Sequence, residues 1–318
     1  YYINATKIAQ EIGLGNRTNT ILQSAFFRIT GVIPVDLAVE QMKKFIVKSY
    51  GKKGEDVVNK NYAAVDRGGE YNQLTVDPAW ANLPDDEAVV NNDPAFINEV
   101  VRPINGQDGD LLKVSAFKGI EDGTWHQGTA KYEKRGVAAF VPVWNEANCI
   151  QCNQCAFVCS HATIRPFMLS EDEVKAAPSN IKVADTKPKA SEYKYTMSVS
   201  PLDCMGCGEC VTVCPAAAKG ALKMVPQESQ AEEQPVFDYL VANVGKKEIK
   251  PVFTDATPIG SQYNQPLLEF SGSCAGCAET SYARLITQLF GEQMYISNAT
   301  GCSSIWGGPA ATSPYTVN

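Results

Sequence analysis

The fold of this chain is decided by a stretch that occurs twice, as Cys149-Ile150-Gln151-Cys152-Asn153-Gln154-Cys155-Ala156-Phe157-Val158-Cys159 and as Cys204-Met205-Gly206-Cys207-Gly208-Glu209-Cys210-Val211-Thr212-Val213-Cys214. Both copies have the spacing C-x2-C-x2-C-x3-C, which is typical of proteins that hold two [4Fe–4S] clusters. A short loop can wrap three sulfurs around one face of a cube, and the longer last step begins a helix that carries the fourth cysteine to the other cube. Two copies in tandem therefore predict a pair of cubane clusters.

The same spacing predicts which cysteines share a cluster. One cluster is expected on Cys149, Cys152, Cys155 and Cys214, and the other on Cys204, Cys207, Cys210 and Cys159. His161 follows the first run closely. Because each cube already has four thiolates, we expect this histidine beside a cluster rather than bound to it.

Apolar, strand-like segments flank both cysteine runs. They are Val137 to Trp144, Ile164 to Leu169, Tyr193 to Val199 and Ala221 to Val225. The order strand, cluster loop with helix, strand thus occurs twice, which indicates an internal duplication. A polar insert from about Ser170 to Glu192 separates the two copies.

Three further cysteines, Cys274, Cys277 and Cys302, lie outside the runs and bring the total to eleven. A disulfide framework is disfavoured by the odd count, the metal-type spacing and the lack of a secretion signal. Zinc is the other alternative, but four cysteines within eleven residues fit cubane clusters better than separated zinc knuckles. Reduced thiols predict a cytoplasmic, low-potential setting.

Composition narrows the possible functions. The chain has 318 residues, enough for two domains or more, and 44% of them are hydrophobic. A net charge of -7 without a basic stripe argues against a nucleic-acid partner. No apolar run approaches the roughly 18 residues that a membrane span requires. Since the chain lacks an initiator Met and a signal peptide, we expect an interior piece of a longer polypeptide.

The regions on either side of the runs have different characters. Residues 1–80 predict four helices, the third with Leu37, Val39, Met42, Phe45 and Ile46 facing inward. Residues 81–136 are rich in turn signals around short strands such as Leu111 to Phe117. A polar connector with a helical patch, Phe237 to Val244, follows the second run.

The last segment predicts a strand–loop–helix alternation of an α/β domain. A helix is expected from Thr280 to Phe290, and a strand from Met294 to Ser297. Cys274 and Cys277 would follow a strand, and Cys302 the next one. These three cysteines are either ligands of a third cluster, which needs a fourth cysteine from elsewhere, or buried apolar residues or a redox pair.

Several segments of the sequence resemble a known enzyme family. Glu133-Lys134-Arg135, the segment from Leu267 to Cys277 and the segment from Asn298 to Trp306 resemble parts of the pyruvate:ferredoxin (flavodoxin) oxidoreductases. Asn19 to Pro34 is similar to the family's gamma-type domain. The ordered combination is specific, whereas the two-cluster module alone would not be.

The resemblance implies five segments in a multidomain α/β and α+β chain. They are the end of a Rossmann-like, gamma-type α/β domain associated with coenzyme A (1–80), a small EKR linking domain (81–136), a ferredoxin-like α+β domain with two clusters (137–226), a connector (227–260) and the start of a thiamine-diphosphate-binding α/β domain (261–318).

The resemblance also implies the site residues. Cys274, Cys277 and Cys302 would be ligands of a third [4Fe–4S] cluster, and Glu279 and Cys302 would contact thiamine diphosphate. Asn19 and Asn61 match positions associated with coenzyme A. The magnesium ligands lie outside this segment, which has no Gly-Asp-Gly motif with a downstream Asn. Two departures are visible: Ser160 stands where the family often has Pro, and Ala278 where Gly is commoner.

The implied activity is oxidative decarboxylation of pyruvate with coenzyme A to acetyl-CoA and CO2, in anaerobic metabolism. Electrons would pass through three clusters to ferredoxin or flavodoxin, in a cytoplasmic homodimer, and this segment alone would be incomplete. Two alternatives stay open: a two-cluster electron carrier with docking domains, and a relative fused to a flavin reductase module that reduces NADP.

Overall fold

The computed structural model describes residues 1–84, 92–186, 192–247 and 254–316. It divides into two units, and helices form the first. The units are Tyr1–Val90 and Asn91–Asn318. The first contains α1 (Ala5–Glu11), α2 (Asn19–Thr30), α3 (Val35–Tyr50) and α4 (Glu55–Arg67). These four helices agree with the prediction, but residues 1–84 contain no strand beyond an isolated Tyr2–Asn72 bridge. The described part of this unit therefore shows no Rossmann-like sheet.

One face of α3 differs from the prediction. Its buried residues are Ala38, Met42 and Ile46, which recur every four positions, and Met42 and Ile46 pack near Val65 of α4. Leu37 and Phe45 flank this stripe and are exposed, so their predicted inward orientation is wrong. The physical reason is that α3 contacts α4 and α2 along one side, so that only a narrow stripe of its surface is buried.

The second unit begins with tight turns instead of strands. A π-helical turn, Ile97–Val101, leads into α5 (Arg102–Asn105), and 3-10 turns follow at Gly109–Leu111 and Val114–Phe117. The strand predicted from Leu111 to Phe117 is therefore wrong. Local hydrogen bonds, such as Ala116 N–H to the Lys113 oxygen at 2.8 Å, satisfy this backbone, and Val114 is exposed and has no sheet face to cover. The turn signals at Asp85 to Glu87 lie outside the described residues.

The predicted duplication is confirmed. The first copy is β1 (Phe140–Trp144), the cluster loop with α6 (Gln154–Val158) and β2 (Ile164–Leu169). The insert contributes α7 (Glu171–Ala176) and β3 (Ala184–Asp185). The second copy is β4 (Lys194–Val199), the loop with α8 (Glu209–Thr212) and β5 (Leu222–Pro226). Strands pair antiparallel across the copies, β1 with β5 and β2 with β4, and β3 extends the second sheet.

This pairing places both cysteine runs over one core. Trp144, Tyr195, Met197 and Leu222 are buried together with Cys155 and Cys210. The next helix, α9 (Glu233–Asn243), covers β2 through Leu240 and Val236, which pack on Leu169. The predicted helix at Phe237 to Val244 is thus confirmed and begins earlier than expected.

The last segment has helices but fewer strands than predicted. It contains α10 (Pro258–Ser261), α11 (Ala278–Phe290) and α12 (Cys302–Gly307). Within residues 254–316 the strand hydrogen bonding is limited to a Leu268–Tyr315 bridge, so Met294 to Ser297 and the residues before Cys274 are not strands. A strand requires a hydrogen-bonded neighbour, and the exposed Tyr295 has none there. Among the described residues, no helix has the length and apolar character needed to cross a membrane.

Candidate metal centres

The two cysteine loops share a backbone conformation that aims N–H groups at sulfur. The residue two positions after the first cysteine has positive φ in both copies, at 60° for Gln151 and 70° for Gly206. Each donates its N–H to the first sulfur of its run, Cys149 Sγ and Cys204 Sγ, at 3.4 Å. Such hydrogen bonds stabilise a thiolate, which is the form that binds iron.

Asn153 adopts in the first cysteine loop the positive φ for which the second loop uses a glycine. It has φ of 56°, where its counterpart Gly208 has 78°. Its buried side chain accepts a hydrogen bond from the Tyr195 hydroxyl at 2.9 Å and donates to the Ile259 carbonyl at 3.0 Å. These contacts hold a non-glycine residue in the left-handed region, which Asn tolerates better than most residues. The loop shape needed for a cluster is thus fixed by side-chain contacts.

The electrostatic neighbours of the thiols agree with the predicted interleaved grouping, in which each run supplies three cysteines to one cluster and its fourth cysteine to the other. Burial raises the pKa of Cys155, and the nearby thiols of Cys149, Cys152 and Cys214 raise it further. Burial likewise raises the pKa of Cys204 to about 12, with additional contributions from Cys159 and Cys207. Cys159, which belongs in sequence to the first run, is therefore a neighbour of the second run's thiols, and Cys214 of the first run's.

The donor chemistry of these eight residues fits cubane clusters. All eleven cysteines are free thiols. In the described ranges, no group of three or more His, Cys, Asp or Glu side chains converges on the position of one metal ion. A zinc site would place four ligands about 2.0–2.3 Å from one ion, whereas a cubane takes each thiolate on a different iron.

The loop that carries Cys274 and Cys277 lies against the second run. A Cβ placed on Gly276 would be 3.5 Å from the Cβ of Cys207. Burial raises the pKa of Cys207, and the Gly276 N–H partly offsets this by hydrogen bonding to its sulfur. Burial would also raise the pKa of Cys277, but hydrogen bonds from Thr280, Ser273 and the Glu279 N–H together lower it. The loop with Cys274 and Cys277 is therefore adjacent to the candidate cluster site of the second run.

His161 connects the first run to the same loop. Its Nε2 lies 3.1 Å from the carbonyl oxygen of Cys274, and its own carbonyl accepts the Phe270 N–H at 3.0 Å. Because a carbonyl can only accept, this contact requires the proton on Nε2. Burial lowers the pKa of His161, which favours the neutral ring. His161 thus links the end of the first run to the Cys274 loop, and its place beside a cluster stays a prediction.

Cys302 lies on α12, whereas Cys274 and Cys277 lie in the loop before α11. It is exposed at the first position of α12, and the contact between its helix and α11 is made instead by Trp306. The Trp306 indole N–H donates to Glu279 Oε2 at 3.2 Å. Glu279 therefore holds the end of α12, and its assignment to thiamine diphosphate stays a prediction, as does that of Cys302.

Asn19 and Asn61 have different surroundings in the first unit. Asn19 begins α2 and lines a cavity of about 350 Å³ that Phe27 and Met42 also line. Asn61 is buried in α4, does not line this cavity and donates through Nδ2 to the Val57 carbonyl at 2.8 Å. Their predicted association with coenzyme A stays a prediction.

Lys134 of the Glu133-Lys134-Arg135 triplet ties the second cluster loop to the third cysteine loop. It donates to the Asp203 carboxylate at 2.6 Å and lies over the Phe270 ring at 5.2 Å. Asp203 directly precedes Cys204, and Phe270 precedes the Cys274 loop. The triplet, singled out from sequence for resemblance alone, thus contacts segments next to two candidate sites.

Two buried charged groups near the clusters were missed by the sequence reasoning. Arg165 of β2 is ion-paired with Glu269, and its guanidinium lies over the Phe237 and Phe270 rings. Arg284 of α11 is buried against α6. No sequence signal identified them, because charged residues in a strand or helix are usually solvated.

Comparisons with known proteins agree with this arrangement. Residues 1–71 match the family described as pyruvate ferredoxin/flavodoxin oxidoreductase, 84–138 match EKR, a domain of unknown function, and 148–218 match the 4Fe-4S dicluster domain. The whole chain is 52% identical to a pyruvate:ferredoxin oxidoreductase of Moorella thermoacetica and 50% identical to a pyruvate-flavodoxin oxidoreductase of Enterobacter agglomerans. Over its whole length the chain is therefore similar to one segment of these oxidoreductases.

The segment spans 27% of the length of these two relatives. It is also 42% identical to a mitochondrial pyruvate dehydrogenase [NADP(+)] of Euglena gracilis, of which it covers 17%. The predicted resemblance and the predicted two-cluster ferredoxin-like domain are thus confirmed.

Proposed function

We propose that this chain is the electron-transfer segment of an enzyme that oxidatively decarboxylates pyruvate with coenzyme A, giving acetyl-CoA and CO2. Two [4Fe–4S] clusters are assigned to the eight cysteines of the runs in the interleaved grouping. Ferredoxin or flavodoxin is the proposed acceptor. The enzyme is expected to be a cytoplasmic homodimer that uses thiamine diphosphate and Mg²⁺, with the magnesium ligands outside this segment.

The observation that supports this proposal best is the contact between Gly276 and Cys207. It places the Cys274–Cys277 loop directly on the second run, so a cluster on that loop would be close to the one on Cys204, Cys207, Cys210 and Cys159. The cluster on Cys149, Cys152, Cys155 and Cys214 then comes last. A stand-alone carrier of two clusters has no use for a third cysteine loop at this position.

Thiamine diphosphate, when bound, accepts the electrons released on decarboxylation. The residues proposed near it are Glu279 and Cys302, and the third cluster is proposed on Cys274, Cys277, Cys302 and a cysteine outside this segment. In the structure Glu279 orients α12 through Trp306. The five-segment division and the coenzyme A contacts of Asn19 and Asn61 belong to the same proposal.

The test uses the full-length enzyme purified without oxygen. Three cubanes predict about twelve iron atoms per chain. Pyruvate should reduce a viologen dye only when coenzyme A is present. About eight iron atoms with no pyruvate-dependent reduction would instead leave a two-cluster carrier.

The acceptor is tested separately in the same preparation. Pyruvate-dependent reduction of purified ferredoxin or flavodoxin supports the proposed acceptor. Reduction of NADP without any added carrier protein would favour the alternative with a fused flavin reductase module. A Cys302→Ala variant should lose dye reduction and retain the signals of the two other clusters.

A further inference from the structure

Arg284 is a buried cation that joins α11 to the end of the first cluster loop. Its Nη1 donates to the carbonyl oxygens of Ala156 at 2.6 Å and Cys159 at 2.7 Å. Its Nη2 donates to Gln262 Oε1 at 2.7 Å. Carbonyls at the end of a short helix lack partners within it. Arg284 therefore fixes the backbone that carries Cys159 towards the second run's cysteines.

The charge of Arg284 is not neutralised by an acid. In the described part of the chain, none of the ion pairs includes it, and its hydrogen bonds go to amide and main-chain oxygens. Arg165 offers a contrast, because it is equally buried but paired with Glu269. Burial lowers the pKa of Arg284 to about 10, so it stays protonated at neutral pH.

The guanidinium of Arg284 lies beside Cys159, because its Nη1 is 2.7 Å from the carbonyl oxygen of this residue, whose sulfur is a proposed cluster ligand. The Thr163 N–H lies 3.4 Å from Cys159 Sγ. A positive charge in a buried, weakly screened position acts on any negative charge beside it. Reduction adds a negative charge to a cluster.

We infer that Arg284 is a positioning residue that raises the reduction potential of the cluster held through Cys159 relative to that of the cluster held through Cys214. Net charge and hydrogen bonds around the sulfurs are among the factors that set cluster potentials. The higher potential would draw electrons from the third cysteine site onto this cluster. The inference rests on the proposed function, since it needs a cluster on Cys159.

The experiment measures the midpoint potential of each cluster in the full-length enzyme, by redox titration followed by electron paramagnetic resonance. The signal of this cluster is assigned by its loss in Cys159→Ser. The key variant is Gln262→Glu, which keeps an acceptor oxygen on Arg284 and pairs its charge. Arg284→Gln removes the charge, and Arg284→Lys keeps it with fewer donors. Lys194→Met removes an exposed charge as control.

Gln262→Glu and Arg284→Gln are expected to shift the potential of the Cys159 cluster to more negative values and to leave the Cys214 cluster unchanged. Arg284→Lys and Lys194→Met should stay near the wild-type potential. Full iron content with wild-type potentials in Gln262→Glu would overturn the inference, even if Arg284→Gln loses iron. Wild-type enzyme without a signal that depends on Cys159 would instead overturn the proposed ligand assignment.

Discussion

At the scale of single residues, the exchange of fourth cysteines between the runs defines the candidate clusters. Cys159 is close in sequence to Cys155 but acts electrostatically on Cys204 and Cys210. Cys214 correspondingly acts on Cys155. The two sites therefore share one backbone and differ in which run supplies three of the four thiols.

Replacement of Cys214 by Ser tests this grouping in the full-length enzyme. We expect the cluster of the first run to be lost or converted, while the cluster that includes Cys204 retains its signal. The measurement is iron content, expected to fall by up to about four atoms, combined with the cluster spectra. Cys159→Ser is the matched control and should affect the opposite cluster. Loss of the second run's cluster in Cys214→Ser would contradict the grouping.

The buried Arg165–Glu269 pair connects β2 to the segment that leads into the third cysteine loop. Both side chains are nearly inaccessible, with 6% and 4% exposure. Gln265 also donates to Glu269 Oε2 at 3.2 Å. Glu269→Ala leaves the arginine charge buried without an anion, which typically costs about 3–5 kcal/mol. We expect a clear drop in the denaturant midpoint of the second unit.

A double replacement separates the charge from the packing. Arg165→Met with Glu269→Leu removes both charges and retains apolar volume, which is often close to neutral for stability. The double variant should therefore be more stable than Glu269→Ala alone. If both variants unfold at the same denaturant concentration, the unpaired buried charge is not the cause of the destabilisation.

At the scale of elements, α7 is the best-defined part of the insert between the two copies. Ser170 and Glu173 form a capping box, in which the Ser170 N–H donates to Glu173 Oε2 at 2.7 Å and the Glu173 N–H donates to Ser170 Oγ at 3.3 Å. Lys247 also donates to Glu173 Oε1 at 2.5 Å. Burial alone would raise the pKa of Glu173, but Lys247 and Ser170 together lower it below the usual 4.5.

This lowered pKa predicts a pH-dependent contribution to stability. A carboxyl whose pKa is depressed by folding stabilises the fold above its unfolded pKa, and the contribution is lost as the pH falls through the folded pKa. Glu173→Gln should therefore be less stable than wild type at pH 7, by up to about 1 kcal/mol for a partly exposed ion pair. The difference should disappear below the folded pKa.

Thermal unfolding of both proteins across this pH range provides the measurement. Asp172→Asn serves as control, because Asp172 is 94% exposed and its ion pair with Lys175 lies at the surface. A difference between wild type and Glu173→Gln that does not change with pH would show that the charge of Glu173 is not the cause.

At the scale of the whole molecule, the two units divide the proposed tasks. Every cysteine lies in the unit Asn91–Asn318, and the first unit has its own helical cores. The second unit also contains the Lys134–Asp203 pair and the loops around Gly276. All contacts that form the candidate cluster sites are therefore internal to it.

A fragment of residues 91–318, reconstituted with iron and sulfide without oxygen, is expected to hold two clusters. About eight iron atoms per chain are predicted. The same fragment with Cys155→Ser and Cys210→Ser should hold little iron and serves as control. A fragment that folds but takes up no more iron than this control would show that the first unit is needed for cluster assembly.

The sequence alone determined the two-cluster module, its internal duplication, the helices of the first unit and the family, because fixed cysteine spacings and periodic apolar residues are local signals. The tertiary structure alone decided that β1 pairs with β5, that Gly276 lies on Cys207 and that Arg284 is buried beside Cys159. These contacts join residues far apart in the chain, so no local pattern records them. The strand wrongly predicted at Met294 to Ser297 has the same cause, since pairing depends on a neighbouring strand and not on the segment itself.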